Sequence, residues 1–167
     1  MMKKNFLCLL LLISMGVMAK PYDHSLGFVG GSFNGFSYKT LPLEHFAVQT
    51  DAGVHFTIYG GLLSVFEVNP MFMYQGTIME NSVCSIDWFT GGGLSMGFMT
   101  TDLYTSWENS FLMGEFGLNA IAGIEFAFSK AVALSFDFRP GYGLAYRSEG
   151  TGSFFDWGLQ LGLRFYL

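Results

Sequence analysis

The stretch AVALSFDFRPGYGLAY, residues 131–146, alternates without a break. Val132, Leu134, Phe136, Phe138, Pro140, Tyr142, Leu144 and Tyr146 occupy one parity, and Ala131, Ala133, Ser135, Asp137, Arg139, Gly141, Gly143 and Ala145 the other. A period of two is the strand period. Strands in globular proteins usually run about five or six residues, so an alternation this long needs a special environment. Two environments supply one. In a soluble barrel or sandwich the apolar face points into the core. In a membrane barrel it points into lipid, and the small and polar face lines the lumen.

The remainder of the chain favours lipid. The N-terminus, MMKKNFLCLLLLISMGVMA, has Lys3 and Lys4 before an apolar run from Phe6 to Ile13 and a small-residue site at Val17-Met18-Ala19. This predicts a secretory signal over 1–19 and a barrel over 20–167. Cleavage there leaves 167 − 19 = 148 residues with Cys84 as the only cysteine, so no intrachain disulfide and no zinc-type cysteine cluster is expected. Half of the chain is hydrophobic and 18% aromatic, whereas only 13% is charged, against about 25% in ordinary domains. Glycine or a polar residue interrupts every apolar run after the signal, so no spanning helix is predicted. A closed barrel is the other backbone that satisfies its own hydrogen bonds in lipid.

Further strands read on the same period. WGLQLGLRFYL places Trp157, Leu159, Leu161, Leu163, Phe165 and Leu167 on one face. EFGLNAIAGIEFAF places Phe116, Leu118, Ile124, Phe126 and Phe128 outward, with Glu115, Asn119, Ile121 and Glu125 inward. Phe46, Val48, Val54 and Phe56 point out of a third strand, with His45, Gln49, Asp51 and His55 pointing in. Phe66, Val68, Phe72 and Tyr74 oppose Glu67 and Asn69, and Trp88, Leu94, Met96 and Phe98 share a face. SLGFVGGSFNGFSYK has mixed phase. These make seven strands where single-chain bacterial barrels have an even number, so an eighth is expected from residues 20–30 or 103–112. Ser129-Lys130 reads as a periplasmic turn and Arg147–Asp156 as a polar external connection. Pro70 and Pro140 should mark bulges, kinks or rims.

On the hairpin AGIEFAFSKAVALSFDFRPGYG, the final strand DWGLQLGLRFYL and the signal sequence, the chain resembles the small outer-membrane β-barrel proteins of Gram-negative bacteria, the OmpA/OmpX-like group. The resemblance implies an all-β, closed, antiparallel up-and-down transmembrane barrel of eight strands. It also implies outer-membrane lipid as surroundings, insertion machinery that reads the C-terminal strand, and a monomer. The chain departs from the group's usual terminal Phe by ending in Leu167 after Phe165 and Tyr166.

No chemistry-bearing constellation stands out. His45 and His55 are ten strand residues apart, about 33 Å, too far to share a metal. Some outer-membrane lipid-modifying enzymes use a Ser–His pair, but Ser25 beside His24 is sequence adjacency and not a triad. The glycines at 91–93 precede no helix and no P-loop Lys. Six Lys and Arg against thirteen Asp and Glu in residues 20–167 is the wrong sign for a nucleic-acid partner. The expectation is no catalytic, cofactor or metal residue. Inward Glu125, Asp137, Arg139 and Arg164 come from three successive strands and should form a paired lumen network, because an eight-stranded barrel is just filled by side chains and buried charges must be paired. Function is then structural or surface-directed. The alternatives are a soluble lipocalin-like barrel holding an apolar ligand and a lipid-modifying enzyme.

Overall fold

The computed structural model describes residues 24–58, 62–100, 112–128, 131–147 and 150–167. The signal sequence, the 103–111 stretch and the Ser129-Lys130 turn lie outside them. Eight strands follow in order: β1 (His24–Gly31), β2 (Phe33–Leu43), β3 (Phe46–Ile58), β4 (Leu62–Glu80), β5 (Cys84–Thr100), β6 (Leu112–Phe128), β7 (Val132–Arg147) and β8 (Gly150–Tyr166). Each pairs antiparallel with its neighbour, and β1 closes on β8. No helix among the described residues is long and apolar enough to cross a membrane, which says nothing about strands.

Register fixes the barrel's shape. Partners of Phe28 run through Phe36, Ala52, Val68, Met96, Phe116 and Leu144 to Ser153 on β8. On the closing side Phe28 pairs with Leu163 of the same strand. The stagger is therefore 163 − 153 = 10 residues. Ten residues at about 3.3 Å, set against eight strands at about 4.8 Å, give a tilt of about 41° and a radius of about 8 Å. Side chains fill an interior of that size.

One expectation holds and two change. The eighth strand is β1, His24–Gly31, from the first of the two stretches expected to supply it, because the mixed-phase 25–39 stretch is two strands folded at Ser32. Gly31 makes the fold possible: its φ is +145°, and a Cβ there would lie 2.2 Å from the Leu159 carbonyl oxygen. Residues 150–156 belong to β8, because Gly150, at φ +143°, turns the chain back and Thr151 through Asp156 pair with Tyr146 through Gly141. The prolines make no bulge. The β4–β5 and β6–β7 ladders skip a step beside Pro70 and Pro140 and resume in the same register, as expected of residues lacking a donor. The bulges lie between Thr40 and Leu43 and between Thr77 and Met79.

The inside is unlike a soluble core. Phe72 is 70% exposed, Leu161 65% and Phe36 61%, whereas Lys39, Asp51, Glu125, Asp137 and Arg164 are at most 1% exposed. Apolar residues do enter the lumen: Ala47, Met71, Met73, Phe89 and Ile121 pack together as a wedge, and Val29, Phe33, Ala127 and Ala133 are buried as well. The glycines read as lining a narrow barrel also allow strands to approach. A Cβ at Gly91 would stand 2.0 Å from the Phe72 carbonyl oxygen.

Candidate functional site

The lumen is built from odd-numbered residues on β1 to β7 and even-numbered residues on β8, whose side chains the pleat turns inward. Arg164 on β8 is fully buried. Its Nη1 donates to Glu125 Oε2 (3.0 Å) and Ser135 Oγ (3.0 Å), its Nη2 to Gln49 Oε1 (2.8 Å), and its Nε to Ser37 Oγ (3.3 Å). Lys39 Nζ on β2 donates to the same Glu125 oxygen at 2.9 Å and lies 5.2 Å from the centre of the Phe89 ring. Gln49 Nε2 donates to both oxygens of Asp51, at 3.1 and 3.0 Å. Arg139 reaches Asp51 with Nη1 and holds Asp137 with Nε and Nη2.

One connected network therefore runs from Lys39 through Glu125, Arg164, Gln49, Asp51 and Arg139 to Asp137. It brings together the four residues singled out from the sequence, in two pairs: Arg164 with Glu125, and Arg139 with Asp137. Gln49 and Asp51 link those pairs, and Lys39 joins the network at Glu125. Asp51 reads as an inner-face residue from the sequence, whereas Lys39 carries no sequence signal because β2 is short on contrast between its faces. Three cations, Lys39, Arg139 and Arg164, balance three carboxylates, Asp51, Glu125 and Asp137. Charge balance matters here, since an isolated buried charge costs far more than a paired one.

A second polar group lies toward the β7–β8 turn. The His55 ring sits between Glu67 (Nδ1 to Oε1, 3.1 Å) and Asp156 (Nε2 to Oδ2, 3.2 Å). Asn69 Nδ2 donates to Glu67, and Asn119 Nδ2 to Asn69, each at 3.2 Å. Glu115 is in hydrogen-bonding contact with Glu67. A cavity of about 40 Å³ lies among these residues above Arg139, room for little more than a water molecule or two.

The other sequence candidates separate. His45 lies in the β2–β3 turn with its ring 5.6 Å from that of Tyr74, not on the inner face of β3. His24 Nδ1 meets the Tyr38 hydroxyl at 2.8 Å, and its neighbour Ser25 is buried on the opposite face of β1 with Oγ donating to the Lys39 carbonyl. Those two side chains cannot act on one another. Among the described residues no group of three or more His, Cys, Asp or Glu could hold a metal ion.

Outside the wall, rings gather at two levels. Tyr74 packs 5.4 Å from Phe46 and 5.7 Å from Trp88, near the end that carries the C-terminus. Toward the other end Trp157 lies 6.3 Å from Phe138, and Tyr142 and Phe155 are also exposed. Paired aromatic levels flanking an aliphatic band are the girdles of a membrane barrel.

Eight closed strands with rings outside and a paired-charge interior define the fold class of small eight-stranded outer-membrane barrels. Two solved structures share it. The N-terminal β-barrel domain of Pseudomonas aeruginosa OprF is similar over 87% of this chain and 98% of that one, at 13% identity and a TM-score of 0.63. Neisserial surface protein A is similar over 87% of this chain and 94% of that one, at 17% identity and a TM-score of 0.58. At such identities the likeness is one of fold. No protein-family model matches the chain, and no curated protein matches it by sequence.

Proposed function

We propose that this protein is a non-enzymatic, monomeric, integral outer-membrane barrel with a closed lumen, whose work is done at the membrane and at its outer surface. The observation that carries this reading is the inversion of burial. Fully buried Arg164, Lys39, Asp137 and Glu125 face a wall of phenylalanines and leucines open to the surroundings. A lipocalin-like barrel requires the opposite arrangement, with apolar residues inside. Lipid supplies the missing solvent for that wall.

On this reading the end with the C-terminus and the Cys84 turn faces the periplasm, and the β7–β8 turn faces the exterior. The charge network and the Met71–Phe89–Ile121 wedge fill the interior, so ions have no path. The terminal strand, from Trp157 to Leu167, would be the segment offered to the insertion machinery.

The test is fractionation followed by electrophoresis. The protein is expected in the outer-membrane fraction, and its unheated form should migrate faster than the boiled form in mild SDS. Recovery from the periplasm as a detergent-free soluble protein would overturn the reading.

A further inference from the structure

β8 outruns its neighbour. It is bonded to β7 all the way out to the Arg147–Gly150 pair. On its other side the ladder stops at Gly31–Gln160, where β1 turns into β2, and the last contact is Ser32 N–H donating to the Leu159 carbonyl at 3.4 Å. The 160 − 150 = 10 residues from Gly150 to Leu159 thus have no strand beside them on that side among the described residues.

The direction of the unpaired groups follows from two bonds. Tyr166 N–H donates to Ala131 O on the β7 side, and Leu159 C=O accepts from Ser32 on the β1 side. Successive residues of a strand turn their backbone groups to opposite neighbours. Thr151, Ser153, Phe155 and Trp157 therefore present theirs to the open side. Trp157 N–H is taken by the Asp156 carboxylate, at 2.8 Å, where the carbonyl of an adjacent strand would otherwise stand. An uncovered edge of this length is a template for strand addition.

We propose that the outer half of β8, Gly150–Trp157, binds an extended segment of another protein, one that alternates basic and apolar residues. An added strand continues the pleat, so its side chains fall alternately on the two faces of the wall. On the outer face its neighbours are Phe155, 66% exposed, and Trp157, 60% exposed. On the inner face they are Asp156 with Glu67 and Glu115 behind it, three carboxyl groups that share the single imidazole of His55, while Arg139 is already held by Asp51 and Asp137. Apolar residues suit the first face, and Lys or Arg the second.

A second copy of the chain fits less well. Two barrels inserted with the same orientation would bring their β8 edges together in parallel, related by a two-fold axis along the membrane normal. That axis sets Phe155 against Phe155, whereas a parallel ladder needs an offset of one residue. The proposal rests on the outer-membrane reading, under which this edge stands at the cell surface.

The probe is an end-blocked octapeptide of alternating Lys and Val, added to the full-length mature protein in nanodiscs and followed by fluorescence anisotropy. In an antiparallel addition the valines sit opposite Phe155 and Ser153, and their N–H groups point at β8. N-methylation of the valines should weaken binding by at least about tenfold, the worth of a bond or two, and N-methylation of the lysines should not. Phe155→Pro, which removes an edge donor and leaves the β7 ladder intact, should weaken binding likewise, and Phe155→Ala, which trims the outer face but keeps the donor, should weaken it less. Equal binding by the valine-methylated peptide, or no saturable binding by the parent peptide, would overturn the proposal. So would a protein that is dimeric in nanodiscs and made monomeric by Phe155→Pro. Should Phe155→Pro fail to fold, the methylated peptides decide alone. Failure of the barrel to insert would count against the outer-membrane reading and not against the edge.

Discussion

Arg164 is the most informative residue to remove. Its guanidinium is fully buried and makes four side-chain hydrogen bonds, one of them to Glu125 at 3.0 Å. Arg164→Met keeps much of the side-chain volume and deletes the charge. Removing one partner of a buried pair costs about 3–5 kcal/mol. Here Glu125 retains Lys39 at 2.9 Å, which pulls the expectation to the lower end, about 3 kcal/mol. Stranding Gln49 Oε1 and the Ser37 and Ser135 hydroxyls prevents it from falling much further, because each buried group left unpaired costs about 1–3 kcal/mol unless water reaches it. The double variant Arg164→Met/Glu125→Gln should lose less than the two single variants combined, since the first change leaves the lumen one positive charge short and the second removes one negative charge, restoring the balance. The assay is reversible urea unfolding of protein refolded into vesicles, read by gel mobility, with exposed Glu80→Ala as the control. An Arg164→Met midpoint equal to that of the control would refute the network. A double variant as unstable as the two single losses combined would refute the coupling between Arg164 and Glu125.

Two further outcomes follow from the lipid-facing wall and its orientation. Phe136 and Tyr146 share the outer face of β7, ten residues apart and so about 25 Å apart along the tilted axis. Arg at a midplane site costs about 2–4 kcal/mol and near an interface about 0–1. Phe136→Arg should therefore impair folding into vesicles, and Tyr146→Arg should leave it near wild type. Comparable damage at both would point to a protein core behind this face. In intact cells, Cys84 should resist a membrane-impermeant maleimide until the outer membrane is permeabilised, and Thr151→Cys in a Cys84→Ser background should label at once. The reverse pattern would invert the proposed topology.

The parts of this molecule that could be read from the sequence are those where side-chain contrast survives. β6 and β7 alternate along most of their length and β8 does so over residues 157–166, and their faces are oriented in the structure as the period requires. β1 and β2 ran together because Gly27, Gly30, Gly31 and Gly35 carry no side chain to mark a phase, and the fold at Ser32 is tight enough to resemble a continuous strand. The inner wedge escaped for the opposite reason. Around Met71, Phe72 and Met73 both parities are apolar, so the period vanishes even though Met71 and Met73 are buried and Phe72 is exposed. Lys39 escaped because its partner lies 86 residues away, across a lumen whose geometry depends on the stagger.

That dependence on stagger explains why the lumen charges were legible as a set but not as pairs. Parity alone tells which residues face inward. Which of them meet is decided by how far the sheet slides before it closes. With a ten-residue stagger, Lys39 near the start of the chain and Arg164 near its end converge on one oxygen of Glu125. Shifting closure by one residue would turn a whole face of β1 outward, carrying Ser25 into lipid and Phe28 into the network. A shift of two would keep the faces but draw Arg164 away from Ser37, at a cost set by its stranded donors. The same charges that close the lumen thus hold the register of β1 against β8. They act near the place where the β1–β8 ladder ends and the open edge of β8 begins, so the length of that edge is fixed by the interior and not by the surface residues that line it.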